Sequence, residues 1–132
     1  MSYLLDTHIL LWSRLDPSKL TPAHQTILRD TTAQKLISSL SIWEISLKFS
    51  LGKLTLGGHT PEEFLDSARK LGFQLVEPTP DHFASFHRLP KVLTHKDPFD
   101  RMLIWQAIQD KLTLLSSDKL LPEYKLHGLL LI

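Results

Sequence analysis

Cysteine is absent from the 132 residues, which excludes disulfide bonds and metal sites built from thiolates. Its absence also fits a reducing compartment. No apolar run approaches the ~20 residues that a helix needs to cross a bilayer. The N-terminal stretch MSYLLDTHILLW lacks a basic segment, and Asp6 interrupts its apolar residues, so it does not resemble a signal peptide. We therefore expect a cytoplasmic protein that makes no contact with a membrane.

A strong net charge is absent as well. The formal charge of +1 gives no overall electrostatic preference for nucleic acid or membrane, so a nucleic-acid partner has to be argued from a local site. Apolar residues make up 42% of the chain and charged residues 22%, as in ordinary globular proteins. The length predicts one domain over residues 1–132 with one sizeable core.

Short apolar runs alternate with helical patterns along most of the chain. The predicted strands are 2–5, 34–39, 73–78, 112–117 and 128–132. The predicted helices are 7–15, 21–30, 41–54, 60–72, 79–89 and 98–110, and a loop through Pro90 precedes the last of them. This alternation predicts an α/β domain with a mostly parallel sheet of about five strands, buried on both faces.

Four acidic residues stand out by their position along the chain. Asp6 and Asp118 directly follow the first and fourth predicted strands, and Glu44 follows the second within a few residues. Asp100 lies in the first turn of the last helix. Because the carboxyl ends of parallel strands and the N-termini of the following helices share one edge of a sheet, we expect these acids to converge there.

Each of these acids, taken singly, also fits a helix cap. Asp6 and Asp118 can be N-caps, since aspartate is among the best capping residues. Ser41 and Glu44 have the spacing of a capping box. In the stretch 97–100, DPFD, the first aspartate fits an N-cap, and the second fits the third helical position.

Helix geometry favours a further role for two of the acids. Asp100 precedes Leu103 and Ile104 by three and four positions, so the three residues share the apolar face of helix 98–110. Glu44 lies in line with Leu40 and with other apolar residues of its helix. The predicted solvent face of helix 98–110 carries polar residues, namely Arg101, Gln106 and Gln109.

A carboxylate on a buried face is costly unless it is paired or bound to a metal. Converging carboxylates also repel one another, and a bound divalent cation removes that repulsion. Oxygen ligands without cysteine suit a hard ion such as Mg²⁺ or Mn²⁺. The usual chemistry of such a site is phosphodiester hydrolysis.

Four segments together resemble a known family: YLLDTHILLW, SIWEISLKFSLGKL, HKDPFDRMLIWQA and LLSSDKLL. In this order and spacing they are similar to the VapC-type PIN-domain ribonuclease toxins of bacterial toxin–antitoxin modules, over essentially the whole chain. The resemblance implies a three-layer α/β/α sandwich and a Mg²⁺- or Mn²⁺-dependent endoribonuclease that cleaves structured RNA such as tRNA or rRNA. It also implies a homodimer and a small cognate antitoxin protein.

The resemblance assigns the catalytic and metal-binding positions to Asp6, Glu44, Asp100 and Asp118. It gives secondary roles near the site to Asp97, Thr7, Ser116 and Ser117. Basic residues close to the acids could contact the RNA backbone, or could be solvated surface charges: Lys48, His95, Lys96, Arg101 and Lys119. Three aromatic residues are predicted to belong to the core or to an interface, including the groove that receives an antitoxin helix: Trp12, Trp43 and Phe49.

Three other classes of protein compete with this interpretation. A haloacid-dehalogenase-type phosphohydrolase needs a second aspartate two residues after the first, where this chain has His8 after Asp6. A phosphoacceptor receiver domain needs an acidic cluster in the first loop, which here holds Asp6 alone. A catalytically silent binding module would use all the acids as caps and would bind no divalent cation.

Overall fold

A five-stranded, all-parallel sheet forms the centre of the protein, in the strand order β3-β2-β1-β4-β5. The computed structural model describes residues 1–92 and 94–132. The strands are β1 Ser2–Leu5, β2 Gln34–Ser38, β3 Gln74–Val76, β4 Thr113–Leu115 and β5 Leu130–Leu131. Leu4 of β1 pairs with Leu36 of β2 on one side and Leu114 of β4 on the other. The predicted α/β class and parallel five-stranded sheet are confirmed.

Helices connect the strands and cover both faces of the sheet. They are α1 Thr7–Leu15, α2 Pro22–Arg29, α3 Ser39–Ser50, α4 Pro61–Lys70, α5 Pro80–Ser85 and α6 Pro98–Asp110. Short 3-10 segments occupy Pro17–Lys19, Phe86–Arg88 and Leu121–His127. Leu93, in the predicted loop before α6, lies outside the described residues. No helix in the described part of the chain is long and apolar enough to cross a bilayer.

Most helix starts follow the predicted capping chemistry, and α3 is the exception. The helices α2, α4 and α5 begin with a threonine N-cap and proline at the first position, and Asp97 caps α6. By contrast, α3 begins at Ser39 with Ser38 as its N-cap, two residues before the predicted start. Glu44 therefore lies in the second turn, too far from the helix start to close a capping box, and that prediction is wrong.

Two apolar layers form because alternate residues of each strand point to opposite faces of the sheet. Leu4 of β1 packs in the layer beneath α6. Its neighbours Tyr3 and Leu5 pack in the layer beneath α1, α3 and α4. The α/β/α sandwich thus places the C-terminal ends of β1, β2 and β4 beside the starts of α1, α3 and α6.

The helix α6 is buried around most of its circumference, from Met102 to Ala107. Helix α5 covers its outer side, where the Trp105 indole N–H lies 3.1 Å from both His82 O and Ser85 Oγ. Gln106 is 0% exposed, and its predicted position on the solvent face is wrong. Neither polar atom of its amide has a hydrogen-bond partner among the described residues.

The unpaired amide of Gln106 is expected to destabilise the fold. Gln106→Met keeps the length of the side chain and removes two buried polar atoms, so the free energy of unfolding should rise by roughly 1–3 kcal/mol. Urea denaturation measures this change. The control is Gln109→Met on the exposed side of the same helix, for which we expect less than about 0.5 kcal/mol. Equal effects of the two substitutions would contradict the explanation.

Candidate active site and metal centre

The structure brings the four predicted acids to the C-terminal edge of the sheet. Asp6 directly follows β1 and caps α1, with Oδ1 accepting from the His8 backbone N–H at 3.3 Å. Asp118 follows β4, and its Oδ1 accepts from the Leu120 N–H at 2.9 Å. Glu44 lies on α3, which follows β2 directly, and Asp100 lies in the first turn of α6. Capping and convergence are therefore compatible for Asp6, because an aspartate has a second oxygen to present. The predicted N-cap role of Asp118 is wrong, since the 3-10 segment that follows it has Leu120 at its N-cap position and no side-chain cap.

Asp100 lies at the centre of the acidic cluster. Its carboxylate, that of Asp118 and a ring nitrogen of His95 form a group with all three atoms within 4.8 Å of one another. A second group with the same spacing consists of Asp100, Glu44 and Asp97. Asp97 thus has two roles in the structure. Its Oδ1 caps α6 by accepting from the N–H groups of Phe99 and Asp100. Its carboxylate also lies close to that of Glu44.

Ser116 joins Asp6 to Asp118 across the edge of the sheet. The Ser116 hydroxyl donates to Asp6 Oδ2 at 2.6 Å and accepts from the Asp118 N–H at 3.1 Å. Burial raises the pKa of Asp6, and the hydrogen bond from Ser116 partly opposes that shift. The adjacent Ser117 is exposed, so Ser116 is the serine that orients the two carboxylates.

Glu44 is 1% exposed and has a polar partner at each oxygen. The Thr7 hydroxyl donates to Oε1 at 2.8 Å, and the Lys48 ammonium group donates to Oε2 at 2.5 Å. The Thr7 oxygen also lies 2.9 Å from the hydroxyl oxygen of Ser41. The hydrogen bond to Glu44 raises the pKa of Lys48. Partners from α1 and α3, rather than a capping box, therefore hold this buried carboxylate.

The electrostatics of the cluster oppose full ionisation. Burial is the largest of the effects that raise the pKa of Asp100 to about 7, and the neighbouring carboxylates of Asp6, Asp97, Glu44 and Asp118 add to it. Such a set of oxygen donors fits a hard divalent cation, because the ion would neutralise charges that otherwise repel one another. The residues present thus suit Mg²⁺ or Mn²⁺.

The predicted basic residues differ in their availability to a ligand. Lys96 and Lys119 are exposed, as expected for either proposed role. Arg101 instead donates to Leu89 O, Pro90 O and the Tyr124 hydroxyl oxygen, and its guanidinium carbon lies 5.6 Å from the centroid of the Phe86 ring. Arg101 is thus partly exposed, and its guanidinium group is held by the loop before α6 and by Tyr124.

His95 also departs from its prediction as a surface contact for RNA. Its side chain is 4% exposed and lies among Asp100, Asp118 and Tyr124. The sequence did not predict this arrangement. The available signal was the position of His95 just before the last predicted helix; nothing in the sequence pointed to Tyr124, which arrives from the 3-10 segment after β4.

Two of the three singled-out aromatic residues are not core residues. Trp43 is 59% exposed and packs edge-on against Phe99, with the ring centroids 5.2 Å apart. Phe49 is exposed as well, whereas Trp12 is half-buried beside the second apolar layer. The core alternative is therefore wrong for Trp43 and Phe49, and an interface role stays a prediction.

Loss of the Ser116 hydroxyl should weaken metal binding without removing a carboxylate. Ser116→Ala frees Asp6 from the Asp118 loop, and groups that orient metal ligands typically contribute about 10–100-fold in affinity. We therefore expect calorimetry with Mn²⁺ to show a loss in that range. Ser117→Ala, at the exposed neighbouring serine, is the matched control and should change the Mn²⁺ affinity much less. A larger loss of affinity in Ser117→Ala than in Ser116→Ala would show that Ser117, and not Ser116, orients the carboxylates.

Comparison with known proteins identifies the family. The PIN domain family matches residues 3–125. The chain belongs to this family. No curated protein sequence matches it significantly.

Solved structures share the PIN fold at low sequence identity. A chain of the Rickettsia felis VapBC2 complex bound to a promoter DNA fragment superposes with a TM-score of 0.72 and 17% identity, covering 100% of this PIN domain chain and 98% of its own. DNA-bound VapBC from Salmonella typhimurium gives 0.68 and 16%, covering 100% and 97%. VapBC-1 from nontypeable Haemophilus influenzae gives 0.62 and 16%, with the same coverage. These likenesses confirm the predicted three-layer fold.

Proposed function

We propose that this PIN domain is a metal-dependent endoribonuclease and the toxin component of a type II toxin–antitoxin system. The observation that carries the proposal is the position of Asp100, whose carboxylate lies within 4.8 Å of acidic partners from both sides, Asp118 and Glu44 with Asp97. Caps alone would not require this convergence. The resemblance of the sequence to VapC-type toxins and the fold shared with VapBC chains support the same function.

The proposed metal ligands are Asp6, Asp100 and Asp118, and Glu44 completes the site. When bound, Mg²⁺ or Mn²⁺ would lower the pKa of water and stabilise negative charge on the phosphoryl group in the transition state. Ser116 holds Asp6 beside Asp118, and Thr7 holds Glu44. These bonds fix the carboxylates before substrate arrives, which reduces the cost of organising the site during the reaction.

The other residues of the site are assigned roles in orienting water and in binding RNA. Carboxylate oxygens of Asp97 and Glu44 lie within 4.8 Å of an Asp100 oxygen, and we assign to them the orientation of the attacking water. Lys96 and Lys119 are exposed near the acids and are proposed to contact phosphates of the RNA backbone. The proposed substrate is structured RNA such as tRNA or rRNA, as the resemblance to VapC-type toxins implies, and selection by such a small nuclease would depend on the shape and loops of the RNA.

The proposed partners are a small cognate antitoxin and a second copy of the chain, in the cytoplasm. The structural neighbours come from VapBC complexes, and this supports an antitoxin partner for the present chain. Exposed apolar residues offer surface that such partners could cover, among them Trp43 and Leu51 on and just after α3. Co-purification with the product of a short neighbouring reading frame would test the antitoxin.

The function is tested by incubating purified protein with tRNA and rRNA. We expect cleavage with Mg²⁺ or Mn²⁺, loss of cleavage with EDTA, and recovery when the metal is added in excess. The expected fall is about 10³-fold or more, because a metal ion contributes several kcal/mol to the stability of the transition state. Cleavage that persists in EDTA would contradict the proposal, and metal binding without cleavage would favour a catalytically silent binding module.

A further inference from the structure

His95 is a buried side chain whose second ring nitrogen points at the acidic cluster. Nδ1 lies 2.8 Å from the Tyr124 hydroxyl oxygen. Nε2 lies 3.6 Å from both Asp100 Oδ2 and Asp118 Oδ2. No hydrogen-bond partner reaches Nε2 from residues 1–92 or 94–132. A buried ring nitrogen without a partner is uncommon, and its equal distance from two carboxylates indicates a role at the site.

Two roles are possible for Nε2, and they require different protons. A bare Nε2 would be a metal ligand, whereas an Nε2–H group would be a donor toward the two carboxylates. The choice depends on the hydrogen bond at Nδ1, because a neutral imidazole carries one proton in total. Tyr124 and the group beyond it therefore decide which role His95 has.

The group beyond Tyr124 is Arg101, which can only donate. One Arg101 Nη1–H group donates to the Tyr124 hydroxyl oxygen at 3.0 Å. If His95 Nδ1–H donated to the same oxygen, the phenol proton would lack an acceptor among the described residues, although Tyr124 is 0% exposed. If instead the phenol donates to Nδ1, the phenol proton has its acceptor and the ring proton lies on Nε2, facing the two carboxylates.

From this direction of donation we infer that His95 is a positioning residue: its Nε2–H group holds the carboxylates of Asp100 and Asp118 in place, and Tyr124 and Arg101 fix the ring that carries it. The distance of 3.6 Å to each oxygen is longer than a direct hydrogen bond. The N–H group therefore acts on both carboxylates as a shared dipole rather than binding one of them. The inference rests on the proposed function, since the two carboxylates are its proposed metal ligands.

The arrangement also explains why the partly exposed Arg101 guanidinium group is held against the protein by several acceptors. Its guanidinium group ties the residue next to Asp100 to the loop at Leu89 and Pro90, as well as to Tyr124. Two segments that are distant in sequence, the start of α6 and the 3-10 segment Leu121–His127, are thereby fixed relative to each other. Asp118 lies just before that segment, so the same contacts set its distance from Asp100.

The position of the ring proton can be measured without any metal. In the ¹⁵N-labelled, metal-free protein, we expect the His95 Nε2 to show the chemical shift of a protonated nitrogen; the signals are assigned by their loss in His95→Gln. A bare Nε2 with the proton on Nδ1 would overturn the inference. This readout does not depend on RNA cleavage, so it stands apart from the test of the proposed function.

Metal binding gives the second readout. Calorimetry with Mn²⁺ should show a loss of affinity of about 10–100-fold in His95→Leu and a substantial loss in Tyr124→Phe. His95→Gln keeps a side-chain N–H donor and should recover most of the affinity lost in His95→Leu. Tyr3→Phe is the matched control for Tyr124→Phe, since the Tyr3 hydroxyl contacts Met1 and not the acidic cluster.

Pulsed electron paramagnetic resonance of the bound Mn²⁺ completes the test. We expect no signal from a directly bonded nitrogen in the unsubstituted protein; a nitrogen coupling that disappears in His95→Gln would show that His95 is a ligand and would overturn the inference. Unchanged Mn²⁺ affinity in both His95→Leu and Tyr124→Phe would do the same. If the unsubstituted protein binds no Mn²⁺, the proposed function fails, whatever the position of the ring proton.

Discussion

Replacing Asp100 with asparagine is expected to abolish RNA cleavage and, at the same time, to stabilise the metal-free protein. Asp100 belongs to both groups of converging ligand atoms, so its loss removes the carboxylate that the two share. We expect cleavage to fall by about 10³-fold or more, as it does on removal of the metal. The free energy of unfolding without metal should rise by roughly 1–3 kcal/mol.

The gain in stability follows from the sign of the pKa shift. Unfolding returns Asp100 from a pKa of about 7 to its ordinary value of 3.8. Between these two pH values the folded protein binds a proton that the unfolded chain does not, so the stability of the metal-free fold decreases as pH rises from about 4 to about 7. At pH 7 and above, the folded protein bears the whole free-energy cost of ionising Asp100. Asparagine at this position does not ionise, so the variant avoids that cost.

Urea denaturation at pH 7.5, with and without Mg²⁺, measures both effects. Mg²⁺ should stabilise the unsubstituted protein, because it binds only the folded state, and should not stabilise Asp100→Asn. The control is Asp66→Asn on the exposed surface of α4, where Lys70 is the ionic partner at 3.4 Å and little change is expected. A metal-free Asp100→Asn protein that is less stable than the unsubstituted one would refute the electrostatic explanation.

The order of the elements was predictable because each depends on residues close together in the sequence. Threonine followed by proline marks the starts of α2, α4 and α5, and alternation of apolar runs with helices implies a parallel sheet. The start of α3 was misplaced because Ser38, Ser39 and Ser41 are all acceptable N-caps. The end of β2, fixed by pairing with β3, decides among them.

The acidic residues of the site were predictable from strand ends, but their partners were not. Asp6 and Asp118 directly follow predicted strands, so parallel topology alone predicts that they lie on one edge. The contacts that organise the cluster join residues far apart in sequence, such as Ser116 with Asp6 and His95 with Tyr124. Local patterns carry no information about such pairs, and Gln106 was misplaced for the same reason, since the packing of other elements around α6 buries it.

Metal affinity is expected to depend steeply on pH below neutrality. The carboxylate of Asp100 must lose its proton to bind a cation, and its pKa of about 7 places that loss within the physiological range. The apparent association constant for Mg²⁺ or Mn²⁺ should therefore fall about tenfold for each pH unit below 7 and should level off above it. Asp6, whose pKa burial also raises, makes the fall steeper rather than shallower.

Calorimetry in two buffers of different ionisation enthalpy measures the affinity and counts the protons released on binding. Asp97→Asn gives an internal check, because Asp97 is one of the carboxylates that raise the pKa of Asp100, whereas asparagine caps a helix about as well as aspartate. In Asp97→Asn, the pH below which the association constant for the cation begins to fall should therefore be lower than in the unsubstituted protein. An affinity that stays constant between about pH 5.5 and 8 would mean that no carboxylate of the cluster holds a proton that the cation must displace.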